Sequence, residues 1–414
     1  MNRVSTNMFN NDAQFYLRRR ESELSEAQNR VSEQTRIREL RDDPIGAAHA
    51  TRYRSQIVRL ERYAQNVGRL QDRHASAEGF MQSGLEILQR VRELAVTGAN
   101  GTFSREDLSH MGREVNQLLS ELVNLANGRS GDGTTVFSGD RTAALPFEAV
   151  IGRVPGGQGG EIVEVVYTGS IHRNRIEISD GQFIESNFPG NQVFWAENQQ
   201  LYASVDSLAY VVPEDSKIRI DGTEIQLKAG DNIHAVIHRI NAADIAVRAR
   251  LDPVDNSLVL ESTRPHQLWL QDVGESRILA DLGLIESDAP PPRNIARSAR
   301  LSGGSAFDML IHLRDSLYRG DTEEVGGAAL RGIDGALENL LGTLGELGAK
   351  SERLEITGRR LTIAVPDLQA QELRETGLDL ADAITDLRMI EFAHTAALQT
   401  AGRVLRTTLL DYLE

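Results

Sequence analysis

Apolar residues recur every three or four positions at both ends of this 414-residue chain and every second position in its middle. Near the start, Asp43 reads as an N-cap and Pro44 as the first helical residue, a position where no amide hydrogen is needed. From there Ile57, Leu60, Ala64, Val67, His74, Met81, Leu85, Leu88 and Ala95 keep a heptad-like stripe to about residue 97, and Asn100-Gly101 ends it. Ser104 with Asp107 three residues on has the capping-box pattern. The helix it opens carries Leu108, Met111, Val115, Leu118, Leu122 and Leu125 and stops at Asn127-Gly128. Ahead of Asp43, Leu17, Leu24 and Val31 repeat every seven residues among many charges.

The C-terminal third has the same rhythm. Leu330, Ile333, Leu337, Leu340, Leu344, Leu347, Ser351, Leu354, Gly358 and Leu361 alternate steps of three and four, the pattern of a coiled-coil seam. Pro366 is expected to interrupt that helix, because proline removes a hydrogen bond and crowds the preceding turn. A last helix follows with Leu373, Leu380, Ala383, Leu387, Ile390, His394, Ala397, Ala401, Val404 and Thr408, flanked by Leu398, Leu405, Leu409, Tyr412 and Leu413.

Between about 135 and 300 the period shifts towards two. Glu161–Tyr167 and Arg175–Ile178 alternate, with Asp180-Gly181 as a hairpin turn. Lys217–Ile220, Asp221-Gly222 and Glu224–Leu227 read as a second hairpin. Asp231 is expected to cap a short helix through Ile240, followed by strands at Ala246–Leu251 and Ser257–Glu261. Pro155–Gly160 and Pro290-Pro291-Pro292 read as a loop and a linker. The fold class implied is mixed α and β: a long antiparallel helical coiled-coil rod built from both chain ends, with an inserted β-rich region of one or two small domains. The segments expected are 1–43 and 366–414 as terminal helical assembly segments, 44–134 and 303–365 as the helical rod domain, and 135–302 as the insert.

Composition sharpens this picture. Hydrophobic residues at 40% and charged residues at 25% are ordinary for a water-exposed protein, while aromatics are only 5%, which suits thin helical seams. A net charge of −15 argues against a general nucleic-acid binder. Residues 1–100 nonetheless hold 16 Arg against 13 Asp plus Glu, so the negative excess lies further on. There is no cysteine, which excludes disulfides, thiolate metal sites and a Cys nucleophile. MNRVSTNMFNND lacks the layout of a cleaved secretory signal, and no apolar run has the length of a membrane span, so no membrane insertion is expected.

Candidate chemistry is sparse. His234 and His238 stand four apart on one helical face, a zinc-compatible spacing, but no third ligand accompanies them and solvated histidines are the simpler reading. His74 and His394 fall inside helical stripes, where a polar seam residue helps set register. Gly156-Gly157-Gln158-Gly159-Gly160 lacks the Lys-Ser/Thr of a phosphate loop and reads as a turn. Asp379, Asp382 and Asp386 share a face, expected to be solvated and turned away from the Leu stripe. The expectation is a non-enzyme with no catalytic residue, cofactor or metal. What the residues do demand is a partner: a fully buried Leu contributes about 1.5–3 kcal/mol, and the terminal stripes must realise that against each other or against neighbouring copies.

Several segments resemble the bacterial flagellin superfamily. Leu88-Gln-Arg-Val-Arg-Glu-Leu-Ala-Val-Thr-Gly-Ala-Asn-Gly-Thr102, Arg41-Asp-Asp-Pro-Ile-Gly-Ala-Ala48 and Tyr63-Ala-Gln-Asn66 are similar to its N-terminal landmarks. The start Asn2-Arg-Val-Ser-Thr-Asn-Met8, the end Leu409-Leu-Asp-Tyr-Leu413, Thr135-Val-Phe-Ser-Gly139 with Pro146-Phe147, Tyr167-Thr-Gly169 and Asn187–Phe194 resemble its hook-filament junction branch. The stretch around 217–285 is similar to a small module of flagellar axial proteins. One departure is Glu375-Thr-Gly-Leu-Asp379, where the superfamily pattern has a Ser and a more acidic run.

The resemblance implies a structural adaptor of the flagellum, joining the hook, through the preceding hook-associated protein, to the flagellin filament. It also implies self-association in a helical tube and type III export without a cleaved signal peptide, to an external or periplasmic flagellum. An export chaperone would cover the C-terminal end. The assembly or chaperone interface expected comprises Leu17, Leu24, Val31, Leu387, Ile390, Ala397, Leu398, Ala401, Leu405, Leu409, Tyr412 and Leu413. A divergent flagellin forming the filament itself, or a cytoplasmic coiled-coil scaffold, are the alternatives.

Overall fold

Capping fixes where the long N-terminal helices begin. In the computed structural model, which describes residues 3–37, 41–286 and 289–410, α1 runs over Arg3–Glu33, α2 over Pro44–Ala99 and α3 over Arg105–Ala126. The Oδ1 of Asp43 accepts from the Gly46 amide at 2.9 Å. That bond and the Arg36 guanidinium hold the Asp43 carboxyl below the usual carboxylate range. Ser104 and Asp107 close a reciprocal capping box ahead of α3.

A β-rich stretch follows, with β1 at Phe147–Gly152, β2 at Glu161–Tyr167, β3 at Arg175–Ser179, β4 at Gln182–Glu185 and a single turn, α4, at Gly190–Val193. Next come β5 (Gln200–Asp206), β6 (Ser216–Ile220), β7 (Thr223–Leu227), α5 (Ile233–Ala242), β8 (Val247–Leu251), β9 (Ser257–Ser262), β10 (Leu270–Val273) and α6 (Ile278–Asp281). The chain returns to helix after β11 (Arg300–Ser302): α7 (Ala306–Arg319), α8 (Thr322–Glu324), a π-helical turn at Val325–Ala329, α9 (Leu330–Thr376) and α10 (Leu380–Leu410).

These elements form two compact units, Asn66–Thr357 and the pair of end segments Met1–Gln65 and Gly358–Glu414. The larger unit holds two hydrophobic cores. In the first, Met81, Leu88 and Val91 of α2, Leu119 and Leu122 of α3, Phe307 and Leu313 of α7 and Ile333, Leu340 and Leu347 of α9 pack with Phe147 and Tyr167 from the β1–β2 pair. Arg92 to Asp334 at 2.5 Å and Ser351 to His74 at 3.4 Å set an antiparallel register between α2 and α9. Every one of the expected α9 seam positions from Leu330 to Leu354 is buried or half-buried. On α3 the burial is rotated slightly, so Leu119, Val123 and Ala126 are fully enclosed while Leu118 and Leu125 are half-buried.

The second core lies in the β-rich part. A four-stranded antiparallel sheet in the order β11-β5-β9-β8 and a three-stranded sheet in the order β10-β6-β7 enclose Ile233, Val236 and Ile240 of α5. The β6–β7 turn is Asp221-Gly222 as expected, with φ of 48° and 83°, the left-handed pair that a two-residue hairpin needs. Helix α5 corrects one expectation: Asn232, not Asp231, is the cap, its Oδ1 accepting from the Ala235 amide at 2.9 Å. Asp231 instead accepts from the Lys228 amide at 2.8 Å and from Arg239 at 2.7 Å. A cap's side chain accepts from the second or third amide of its helix; Asn232 does so while Asp231 is engaged elsewhere, and the helix starts one residue later than its acidic neighbour suggests.

In the smaller unit α1 packs along α10. Here Pro366 does not interrupt the helix: α9 continues through it to Thr376. Pro366 lies on the exposed side of α9, as does Thr362 one turn before it, so the carbonyl that loses its amide partner can face solvent. The break comes instead at Gly377, where the chain is stitched to the α1–α2 connection. The Arg36 amide donates to Thr376 O at 2.8 Å, the Leu378 amide to Gln34 O at 3.2 Å, and Arg36 Nη2 to Glu375 O at 2.9 Å. A Cβ at Gly377 would collide with the Leu373 carbonyl, so glycine is required there. Another small correction is that Tyr63, not Ala64, is buried on the α2 stripe.

Candidate functional site

The paired terminal helices are where the expected interface residues converge. On α10, Ala383, Leu387, Ile390, His394, Ala397 and Ala401 step by four and three, and all six are half-buried. On α1, Leu17, Leu24 and Val31 are half-buried and Ala27 is buried. Small residues alternate with Leu and Ile along this seam, which lets two helices approach closely and interleave the larger side chains. His394 sits in the seam with its Nδ1 buried and unpartnered.

A second apolar set on the same helices has no cover. Leu380, Ile384, Met389, Phe392 and Leu398 of α10 are 41%, 42%, 61%, 78% and 50% exposed, and Phe15 and Tyr16 of α1 are 65% and 63% exposed. At about 100° per residue, Phe392 lies opposite the seam, while Leu380, Ile384 and Leu398 flank it. Of the residues expected at the interface, then, Leu17, Leu24, Val31, Leu387, Ile390, Ala397 and Ala401 are brought together inside the monomer. Leu398 faces outward. The side chains of Leu405 and Leu409, and all of Tyr412 and Leu413, lie outside the described residues. Phe15, Tyr16, Met389 and Phe392 were not expected: they fall off the heptad rows, and their only sequence signal is being large and apolar at polar-phase positions.

The acidic triplet corrects another expectation. Asp379, Asp382 and Asp386 do not turn away from the apolar row but line a cleft of about 370 Å³ with Glu23, Glu26 and Arg30, beside Ala383 and Ile390. Asp379 also caps α10, its Oδ1 accepting from the Ala381 amide at 2.9 Å and the Asp382 amide at 3.3 Å. Arg30 approaches Glu26 to 3.8 Å and Arg36 bonds Asp43 at 3.1 Å, so basic side chains border the carboxylates.

Elsewhere, the motif residues serve structure. Phe137 is fully buried, and its carbonyl accepts from the Gly190 amide at 2.8 Å and from the Tyr167 hydroxyl at 3.1 Å. The Ser170 amide donates to Ser138 O at 2.9 Å. Gly139 has φ +68°, and a Cβ there would run into the Ser170 carbonyl. His234 and His238 are exposed, and among the described residues no group of three or more His, Asp or Glu could hold a metal ion. The Gly-rich loop is closed by Glu161, which accepts from the Gln158 amide at 2.6 Å and the Gly159 amide at 3.0 Å. His74 is 1% exposed; its Nε2 donates to Glu185 O at 3.1 Å, and burial pushes its imidazole below the ordinary value. No helix among the described residues is long and apolar enough to cross a membrane.

Residues 4–142 match the family model of the bacterial flagellin N-terminal helical region. Over its length the chain is 24% identical to "Flagellin A" of Vibrio anguillarum, an alignment of 404 residues covering 97% of each. It is 32% identical to "Flagellin" of Salmonella muenchen over 146 residues, 35% of this chain and 29% of that protein. Among solved structures it is similar to the flagellar hook associated protein-3 from Legionella pneumophila, at 17% identity and TM-score 0.47, covering 78% of this chain and 98% of that one.

Proposed function

We propose that this protein is a structural, non-enzymatic adaptor of the bacterial flagellum at the join between hook and filament. Its residues 4–142 match the flagellin N-terminal helical region, while its start and end resemble the junction branch rather than the bulk filament protein. The observation that carries the reading is the double face of α10: one row spent on α1, the opposite side left exposed at Phe392 and Met389. A monomer exposing large apolar side chains there and at Phe15 and Tyr16 of α1 is built to be completed by neighbours.

In this reading segments 1–43 and 366–414 insert into a helical tube of copies, contacting the preceding hook-associated protein on one side and flagellin on the other. The α2–α9 seam is an antiparallel coiled coil, residues 44–134 and 303–365 are the body, and 135–302 is an outer insert. Before assembly an export chaperone covers the C-terminal apolar face, and the chain leaves through type III export without a cleaved signal. The second reading, a divergent flagellin, draws on the alignment to Flagellin A across 97% of the chain. Deleting the gene separates the two. The adaptor reading expects complete hooks and flagellin secreted unassembled; filaments of normal length in the deletion strain would refute it.

A further inference from the structure

The segment from Arg264 to Leu270 lies between the two hydrophobic cores of the larger unit. Leu268 and Leu270 belong to the β-rich core, whereas Trp269 packs against the helical one. Its backbone is tied to both sides: the Gln267 amide donates to Asn191 O at 3.0 Å, the Leu268 amide to Gln199 Oε1 at 2.7 Å, and the Trp269 amide to Asp221 Oδ1 at 3.0 Å.

His266 anchors this segment and is 4% exposed. Its Nδ1 lies 2.8 Å from Arg264 O, and its Nε2 lies 2.8 Å from Asp221 Oδ2. A carbonyl and a carboxylate can only accept, so each ring nitrogen must carry a proton and the ring is an imidazolium. Asp221 cannot swing aside easily. It occupies the hairpin turn at φ 48°, its other carboxylate oxygen is held by Trp269, and its amide donates to Trp269 O at 2.9 Å.

We propose that the His266–Asp221 pair is a proton-dependent latch that ties the 264–270 segment, which carries Gln267 and Trp269 against the helical core, to the β6–β7 hairpin. Loss of the proton leaves a ring lone pair facing a carboxylate oxygen, or, in the other tautomer, leaves the Arg264 carbonyl without its donor. Either way the latch is weakened, because a lone pair faces an acceptor or the remaining Asp221 bond loses its charge assistance, and the segment that places Trp269 and Gln267 against the helical side is held less firmly.

The surrounding charges support the same direction. Burial works against the charged ring, but the hydrogen bond and charge of Asp221, with the bond to the Arg264 carbonyl, outweigh it and raise the imidazole above its ordinary value, the Arg264 charge opposing. The adjoining cleft, about 550 Å³, brings Arg173, Arg175, Lys350, Glu185, Asp244 and Glu346 near, and His172 lines the smaller recess beside it. Arg173 and Lys350 both pair with Glu185, at 2.7 and 2.8 Å, and Arg264 reaches Glu346 at 3.6 Å. Those charges largely compensate one another, which leaves Asp221 as the group that sets the state of His266. Because the folded value is raised, the latch contributes fully below about pH 6.5, the ordinary histidine value, and is lost as pH rises through the folded value.

The test uses the full-length chain and is independent of its assembly role. Imidazole ¹⁵N shifts report the ring directly, and amide exchange over residues 264–270, corrected for intrinsic rates, reports the seam. From about pH 6 to about pH 9, wild type is expected to lose protection about tenfold or more, the effect of losing one charge-assisted hydrogen bond. His266→Gln and Asp221→Asn are expected to show low, pH-independent protection; asparagine tolerates the left-handed turn. A neutral His266 spectrum at about pH 6, or wild-type protection that stays flat over the window, would overturn the proposal.

Discussion

Replacing Phe392 and Met389 together with alanine tests whether the outer row of α10 is an assembly face. Both side chains are mostly exposed in the monomer, at 78% and 61%, so removing them takes away little that the folded monomer uses. Exposed substitutions of this kind change stability by about 0.5 kcal/mol or less, and alanine is the better helix former. In an assembly that buries the row, each large apolar side chain is worth about 1.5–3 kcal/mol on full burial. Scaled by the exposure each still has to lose, the pair amounts to about 2–4 kcal/mol of association, or about 30- to 700-fold in affinity.

The assay is competition in vivo: tagged variant and untagged wild type expressed at equal level, and their ratio measured in isolated flagella against the ratio in cells. The double variant is expected to be depleted by at least an order of magnitude while its circular dichroism and melting match wild type. Ile390→Ala is the contrast, because Ile390 is half-buried in the α1–α10 seam; there the monomer itself should lose helix protection in both terminal segments. Equal incorporation of the Phe392/Met389 variant would refute the outer-face argument, and loss of monomer stability in that variant would show that the row is already used within the chain.

Two further outcomes check the body of the molecule. Gly139→Ala should destabilise by about 2–4 kcal/mol, combining a left-handed φ with collision into the Ser170 carbonyl; a chemical-denaturation midpoint equal to wild type would contradict the tight loop. His74 is buried and neutral, its value lowered chiefly by burial. Its contribution is therefore complete above the ordinary histidine value near pH 6.5 and fades as pH falls through that value towards the folded one. His74→Gln should flatten the acid limb of the stability curve, and an unchanged acid limb would remove His74 from the account.

Local chemistry was legible in the chain because it acts over a few residues. Asp43 before Pro44, Ser104 with Asp107, and Asp221-Gly222 each specify a helix start or a turn through atoms at most three or four residues apart, and the structure has all three where the sequence puts them. The heptad rows likewise announced the seams of α9 and α10, since a period of 3.5 has meaning only on a helix. The start of α5 slipped by one residue because Asp231 and Asn232 both make acceptable caps, and the choice fell to the ion pair that Arg239 offers Asp231.

What the chain could not announce is what arrives from far away. Pro366 is a legitimate helix breaker in isolation, but helix α9 passes through it and stops at Gly377, where Gln34 and Arg36 from the other end of the chain accept and donate across the break. The acidic triplet borders the seam because α1 brings Glu23, Glu26 and Arg30 against it. His266 meets Asp221 across a sequence separation of 45, with no spacing rule to betray them. Periodicity and capping are short-range terms that the sequence determines by itself. Which apolar row is covered, which helix end survives and which histidine is charged depend on long-range packing, and only the tertiary structure decides them, because their energies belong to pairs that the chain order does not bring together.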